Sequence, residues 1–352
     1  MKKPFYAALF IAALFAFTGC SDNDEDELIG NWKKVSDFEG IPRYGAVTFT
    51  INDVAYVGAG LNGIKNYLND LWKYNPSSGS TGDTWTQMAS FDGIPRVDAV
   101  GVSAGSIGLI GLGYNQERDD LQEQGWVLSD FWKFNPSSNS WSPAAEFGGG
   151  GRRRAVSFTV NGTAYVGTGM DGDENNLKDF WKYDVNNDSW VAVESIGGSK
   201  RIGASSFVIG NTAYVVGGNN NGADVSDFWA YDASSDKWTE KRKIANLSTD
   251  SYDDDYTSIT RTYGVAFVMN GKGYFTTGNR SGSMTRTTWE YDPTSDLWIE
   301  RTGFEGASAR DQAVGFTVGG RGFVLTGKTG SYRLDDVFEF FPTAKQDDYD
   351  NQ

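Results

Sequence analysis

The feature that most constrains this chain is a four-part pattern that recurs about every 50 residues. Each unit opens with an arginine, two variable positions and a short apolar segment. A second segment ending in glycine follows, then an Asp-Phe-Trp-Lys-Tyr-like segment, and then a further tryptophan. The opening arginines are Arg43, Arg96, Arg152, Arg201, Arg261 and Arg310. A chain built this way must fold as an array of similar units that cover one another's apolar faces.

Each of the four segments alternates apolar and polar residues, which is the periodicity of a β-strand. Asn161-Gly162 and Asn270-Gly271 fall between the first two segments and are typical of tight hairpin turns. With 44 Gly and only 8 Pro, the composition also favours many short strands. Six units of four strands predict an all-β, six-bladed β-propeller.

The glycine-ended segment, the Tyr and the spaced Trp residues resemble the kelch repeat. The resemblance covers about residues 31–341. It departs from the kelch pattern where Gly-x-Gly replaces Gly-Gly and where the last two units keep one Gly. Galactose oxidase is similar in fold, but its copper site needs His ligands and a Cys–Tyr crosslink. This chain has no His and one Cys, so we expect a galactose oxidase-like propeller without that site.

The ends of the chain indicate how the ring closes. The sixth unit lacks its trailing tryptophan, and Trp32 precedes the first unit as a spare one. We therefore expect the N-terminal strand to be the outer strand of the last blade, which leaves no long free edge. The predicted domains are residues 1–19 as a signal peptide, 20–30 as an acidic linker, 31–342 as the propeller and 343–352 as a disordered acidic tail.

The first twenty residues resemble a bacterial lipoprotein signal. A basic start precedes the apolar run Phe5 to Phe17, which is too short to span a membrane comfortably, and Cys20 follows. We expect Cys20 to carry the lipid, although an ordinary secretory signal is the alternative. The acidic residues 21–27 resemble the surface-export signal of Bacteroidota lipoproteins, or they are simply a solvated linker. The expected location is the outer membrane, lipid-anchored and exposed at the cell surface.

Loop lengths predict which face of the propeller carries function. The longest connection between blades lies between Trp238 and Arg261, and the longest loop within a blade is residues 114–129. An up-and-down strand order places both insertions on one face, which we call the insertion face. Long loops in compact domains are often functional. The linker should tether the opposite face, so the insertion face would point away from the membrane.

The six opening arginines are candidate ligand-binding residues at the mouth of the central channel, where guanidinium groups could bind an anionic sugar or peptide. The alternative is that each pairs with the aspartate of its own unit. Thr287 replaces that aspartate in the fifth unit. Arg261 is therefore the arginine predicted to lack a partner and the better candidate for a ligand.

Five aromatic residues in the insertion-face loops are further binding candidates: Tyr114, Trp126, Tyr252, Tyr256 and Tyr332. Exposed aromatics stack on sugars or anchor protein contacts. The alternative is that they fold back onto the propeller rim. The eleven tryptophans of the repeat are expected to be core residues.

Composition excludes several chemistries. The formal charge of −15 argues against nucleic acid as a partner. Without His there is no Ser-His-Asp triad and no His-bound metal. The run Asp171 to Asn175 begins like a calcium loop but lacks the later residues of an EF-hand. We expect no cofactor, no metal and no catalytic residue that the sequence can name.

These observations favour a non-enzymatic, lipid-anchored propeller that presents a loop face to glycans or proteins. One alternative is a metal-independent sugar enzyme, since sialic acid mutarotases are similar six-bladed kelch proteins. Another is a structural subunit of an outer-membrane assembly.

Overall fold

The computed structural model describes residues 28–77, 82–118, 120, 122, 125–347, 349 and 351. In these residues six four-stranded antiparallel sheets form the blades of a propeller. The innermost strand of each blade contacts the innermost strands of both neighbours, so the ring is closed. The predicted all-β, six-bladed fold is confirmed.

The strands of each blade run from the channel outward as a, b, c and d. In blades 1 to 3 they are Val47–Ile51, Val54–Gly58, Leu71–Asn75 and Thr84–Met88; Val100–Ala104, Ile107–Gly111, Phe131–Asn135 and Ser140–Ala144; Val156–Val160, Thr163–Gly167, Phe180–Asp184 and Ser189–Val193. In blades 4 to 6 they are Ser205–Ile209, Thr212–Val216, Trp229–Asp232 and Lys237–Glu240; Val265–Met269, Lys272–Thr276, Thr288–Asp292 and Leu297–Arg301; Val314–Val318, Arg321–Leu325, Asp336–Lys345 and Ile29–Asp37.

Small elements decorate the insertion face. Four b-to-c loops form two-residue hairpins: Leu61–Asn62 with Asn66–Tyr67, Asn219–Asn220 with Ala223–Asp224, Asn279–Arg280 with Ser283–Met284, and Lys328–Thr329 with Tyr332–Arg333. A short 3-10 helix, Ser251–Asp253, lies in the longest blade-to-blade connection. No helix of the described residues is long and apolar enough to cross a membrane.

Aromatic side chains fill the spaces between blades. Tyr74 of blade 1 lies 5.1 Å from Trp85 of its own blade and 5.1 Å from Phe316 of blade 6. Its hydroxyl donates a 2.5 Å hydrogen bond to Asp83 in the c-to-d turn. Blades 3, 4 and 5 repeat that bond with Tyr183, Tyr231 and Tyr291. Each blade therefore covers an apolar face of its neighbour, which the neighbour could not bury by itself.

The N-terminal strand closes the ring as predicted. Ile29–Asp37 pairs with Asp336–Lys345, and Trp32 lies opposite Phe340 with no exposed surface. The last strand runs on to Lys345, past the predicted domain end at 342, because Ile29 is paired with Lys345. The predicted disordered tail at 343–352 is therefore wrong for its first three residues.

The repeat tryptophans fall into two groups. Trp32, Trp85 and Trp298 of the outer strands are at most 5% exposed, as a core position requires. The strand-c tryptophans of blades 1 to 3 are only half-buried, because their indole Nε1 groups donate to aspartates near the insertion face: Trp72, Trp132 and Trp181. Trp190 and Trp289 are also buried, and Trp141, Trp229 and Trp238 are also only half-buried. The expectation that every repeat tryptophan is core therefore holds for five of the eleven and not for the other six.

Candidate functional site: the channel mouth

The six opening arginines, which we call the frame arginines, lie inside the blades. All six are 0–1% exposed. Five form ion pairs with the aspartate of their own unit: Arg43 with Asp70, Arg96 with Asp130, Arg152 with Asp179, Arg201 with Asp227 and Arg310 with Asp336. For these five arginines the structure agrees with the alternative interpretation of the sequence, in which each pairs with the aspartate of its own unit.

Each frame arginine ties the start of strand a to the end of strand b. Arg96 Nη1 donates to the carbonyl of Leu112 at 3.0 Å and to Asp130 at 2.7 Å, and its guanidinium lies 4.8 Å over the ring of Phe91. Burial alone would raise the pKa of Asp130, but Arg96 outweighs it and lowers that pKa. These contacts hold the blade together and leave the guanidinium inaccessible. The prediction that the frame arginines crown the channel is therefore corrected.

Arg261 differs from the other five because Thr287 stands where the other units have the aspartate that pairs with the arginine. Its guanidinium donates to the carbonyls of Ile259, Ser258, Thr277 and Thr287 and to the hydroxyl of Thr287. Burial lowers the pKa of Arg261 to about 9. The missing carboxylate is as predicted, but with 0% exposure this arginine cannot meet a ligand from solution.

A different set of residues surrounds the channel mouth. They stand two positions after each frame arginine, and we call them the mouth ring: Gly45, Asp98, Arg154, Gly203, Tyr263 and Gln312. With adjoining backbone they line a cavity of about 140 Å³. All six have left-handed φ angles between 52° and 59°, which L side chains rarely adopt.

Hydrogen bonds from one blade to the next hold this backbone. The Asp98 amide donates to the Gly45 carbonyl at 3.1 Å, the Arg154 amide to Asp98 at 2.9 Å, and the Tyr263 amide to Gly203 at 2.8 Å. Strained backbone of this kind often marks functional sites, where the surrounding structure enforces it.

The side chains of the mouth ring form a bridge over the opening. Asp98 accepts hydrogen bonds from Arg154 Nε at 2.9 Å and from Gln312 Nε2 at 2.7 Å. Arg154 also lies 5.4 Å from the ring centroid of Tyr263. Gly45 and Gly203 have no side chains, which leaves space for these contacts. Burial alone would lower the pKa of Arg154, but Asp98 outweighs it and raises that pKa.

A second carboxylate flanks the ring. Asp311 is 6% exposed, and its Oδ1 has no hydrogen-bond partner in the part of the chain that the structure describes. The nearest cation to that oxygen is Lys328, with Nζ 3.9 Å away. Burial raises the pKa of Asp311. The mouth thus combines a guanidinium, an amide, a phenol and two carboxyl groups in different electrostatic settings.

The candidate aromatics have different positions. Tyr114 does not line the mouth cavity; its backbone pairs with Val97 and Val127, and the Arg153 guanidinium lies 4.5 Å over its ring. Trp126 is half-buried in the long blade 2 loop. Tyr252 packs under Arg242 on the rim. Tyr256 is 4% exposed because its hydroxyl accepts the Trp298 amide and its ring packs on Trp289, so its predicted binding role is corrected.

Neither acidic loop gathers ligands for a metal. Asp171 accepts from the amides of Asp173 and Asn175, and Asp253 accepts from the amides of Leu247 and Ser248. Among the described residues no group of three or more acidic, His or Cys side chains could hold a metal ion. Asp119 and Glu123 of the blade 2 insertion lie outside the described residues.

Sequence reasoning missed the mouth ring. Asp98, Arg154, Tyr263 and Gln312 fill the second variable position of the Arg-x-x pattern. The signal available was that variation: one position alternates between glycine and polar side chains, although the next position is alanine in five of the six units.

The fold and its repeats match known kelch proteins. A family model described as Kelch motif matches residues 42–91, and one described as KLHDC2/KLHL20/DRC7 Kelch-repeats domain matches residues 122–299. The second match covers just over half of the 352 residues. The chain therefore belongs to the kelch-repeat family.

Curated relatives carry a more specific name. The chain is 31% identical over 121 residues to N-acetylneuraminate epimerase of Shigella boydii serotype 4 (strain Sb227) and, to the same extent, of Escherichia coli (strain K12). The match covers 34% of this chain and 30% of those relatives. A solved structure titled "Structure of YjhT" superposes with a TM-score of 0.68 at 17% identity. It covers 86% of this chain and 95% of that one, and it shows the fold alone.

Proposed function

We propose that this kelch propeller is a binding module that recognises a small acidic sugar at the channel mouth. The observation that carries the proposal is the setting of Arg154. Its Nε is fixed by Asp98, and the side chain remains 29% exposed at the edge of the cavity. A guanidinium held in this way can offer its two terminal nitrogens to a carboxylate. Gln312 and Tyr263 supply neighbouring groups for sugar hydroxyls.

Calorimetric titration of the purified protein with acidic and neutral monosaccharides tests this proposal. We expect binding of acids such as N-acetylneuraminate or galacturonate, weaker binding in high salt, and none of their neutral counterparts. Arg154→Ala should weaken binding at least tenfold. Arg286→Ala is the matched control, because Arg286 is an exposed arginine on the same face in blade 5. Equal loss in both variants, or equal affinity for neutral sugars, would contradict the proposal.

A second candidate function is metal-independent interconversion of sugar anomers. Two observations favour it: Asp311 is a buried carboxyl group with a raised pKa beside Lys328, and the curated relatives are named epimerases. Opening a cyclic sugar removes the proton of the anomeric hydroxyl and adds one to the ring oxygen. Reclosure reverses both transfers. A protonated carboxyl could donate and a carboxylate such as Asp98 could accept.

Exchange NMR of the two anomers separates catalysis from binding. If the protein is an enzyme, catalytic amounts accelerate anomer exchange, and Asp311→Asn abolishes the acceleration while leaving affinity within about twofold. A protein that binds the sugar without accelerating exchange is the binding module alone.

The envelope location is part of the proposal and rests on residues 1–27, which lie outside the described residues. The linker enters strand d of blade 6 at Ile29, on the face opposite the mouth. A lipid on Cys20 would then leave the mouth pointing outward. Labelling with a tagged fatty acid, lost in Cys20→Ser, tests the anchor, and protease treatment of intact cells tests surface exposure.

A further inference from the structure

We propose that the insertion face carries a second anion site, formed by Lys328, Arg333 and Tyr44. Its ligand would be a further acidic residue of a sugar chain whose end lies at the mouth ring. This inference rests on the proposed function and extends it from a single sugar to an acidic oligosaccharide.

Two cations share one aromatic ring at this site. Lys328 Nζ lies 4.7 Å and Arg333 Cζ 4.5 Å from the ring centroid of Tyr44. Both cations come from the blade 6 hairpin Lys328–Thr329/Tyr332–Arg333, and Tyr44 directly follows a frame arginine of blade 1. The ring fixes the pair in place but does not neutralise it.

The charge of this pair is poorly compensated. Arg333 makes no ion pair within the described part of the chain. It donates to the carbonyls of Ser331 at 2.9 Å and Gly63 at 3.3 Å, and its Nε has no hydrogen-bond partner. Lys328 reaches only Asp311 there, at 3.9 Å. A carboxylate or sulfate would supply the acceptors that this cation pair lacks among the described residues.

Two exposed apolar side chains lie on the hairpins that carry or contact the cations. Tyr332 is 72% exposed and Ile64 is 87% exposed, at the tips of neighbouring hairpins of blades 6 and 1. The Arg333 bond to Gly63 links the two tips. A flat aromatic ring beside a cation can stack on a sugar ring while the cation binds its acidic group.

The second site is continuous with the mouth. Lys328 pairs through its backbone with Asp311, and the next residue, Gln312, bonds to Asp98 in the mouth ring. Arg154 and Lys328 are therefore linked through Asp98, Gln312 and Asp311. That arrangement suits a ligand with two separate anionic groups better than a single acidic sugar.

The test compares chain lengths of one acidic sugar. Oligogalacturonates of one to four residues and chondroitin sulfate oligosaccharides are titrated into the purified protein by calorimetry, with methyl-esterified oligogalacturonates as the neutral control. We expect affinity to rise at least tenfold from the single sugar to the trimer. Arg333→Ala and Tyr332→Ala should each reduce that gain without changing the affinity of the single sugar, and Arg286→Ala should change neither.

The outcomes separate the two proposals. Equal affinity for the single sugar and the longer chains, or a length gain that survives in Arg333→Ala, would overturn the second site and leave the mouth site standing. Failure of every acidic sugar to bind would overturn both. Tighter binding of an acidic peptide than of any acidic oligosaccharide would overturn the sugar-chain assignment in favour of a protein ligand.

Discussion

Arg152 and Arg154 are two residues apart and have opposite roles. Arg152 is 1% exposed, and both of its terminal nitrogens are bound to Asp179. Arg154 is 29% exposed on the cavity edge, with Nε on Asp98. The residue type is the same, so the difference comes from where each falls in the blade. A frame position is enclosed by its own unit, whereas a mouth-ring position faces the channel axis.

The largest expected effect is on stability. Arg152→Ala should lower the free energy of unfolding by about 3 kcal/mol, because it leaves Asp179 and the Thr168 carbonyl without their partner. Arg154→Ala should cost less, about 1 kcal/mol, because Arg154 is itself partly exposed and Asp98, which is 8% exposed, keeps the hydrogen bond from Gln312. Urea unfolding followed by tryptophan fluorescence measures both. Equal losses in the two variants would show that frame and mouth-ring arginines do not differ in their contribution to stability.

The next largest effect is on ligand binding, where we expect Arg154 to matter more than Arg152. Arg154→Ala should weaken binding of an acidic sugar about tenfold or more, or about 1.4 kcal/mol. A frame variant that stays folded, Arg152→Lys, should keep most of the affinity, since Arg152 does not reach the cavity. Calorimetry at a temperature where both variants are folded provides the comparison. Greater loss of affinity in Arg152→Lys would place recognition elsewhere.

A substitution in blade 5 should increase stability by completing the sixth frame ion pair. Thr287→Asp should raise the free energy of unfolding by about 1 kcal/mol, because it gives Arg261 the carboxylate that the other five frame arginines possess. The new side chain would also be placed to accept from Trp289, as Asp179 accepts from Trp181. Thr287→Asn is the control of similar shape without charge. If Thr287→Asp lost stability and Thr287→Asn did not, blade 5 would be unable to accommodate a carboxylate at this position.

The smallest effect is the dependence on pH. Burial alone would raise the pKa of Asp130 and Asp179, but Arg96 and Arg152 outweigh it and lower both. The folded pKa is thus below that of the unfolded chain. The stabilisation is therefore complete above about pH 4 and is lost as the pH falls through the lowered folded value. Stability should fall less between about pH 5 and pH 2 in Asp130→Asn than in the unaltered protein. If stability changed equally with pH in both proteins, the Arg96–Asp130 ion pair would make no contribution to the pH dependence.

Much of the fold could be predicted from the sequence because a repeat is a local signal. The Arg, Gly, Tyr and Trp spacings fixed four strands per unit, and the displaced Trp32 indicated how the ring closes. The site was harder to predict. Trp126, Tyr252 and Tyr256 drew attention because they lie in long loops, yet Tyr256 is buried under Trp298 and Tyr252 lies on the rim. A long loop indicates where additional residues lie on a face, but it does not indicate which side chains come together to form a site.

The sequence by itself determined the class of fold, the number of blades and the identity of the frame, since each depends on contacts within one unit or between neighbouring units. Only the tertiary structure decided the site. Asp98, Arg154 and Gln312 come from blades 2, 3 and 6, and they meet only because ring closure brings their backbones to one axis. Their equivalent places in the repeat are visible in the sequence, but which of these side chains bond to one another is not, because the contacts join residues as many as 214 positions apart.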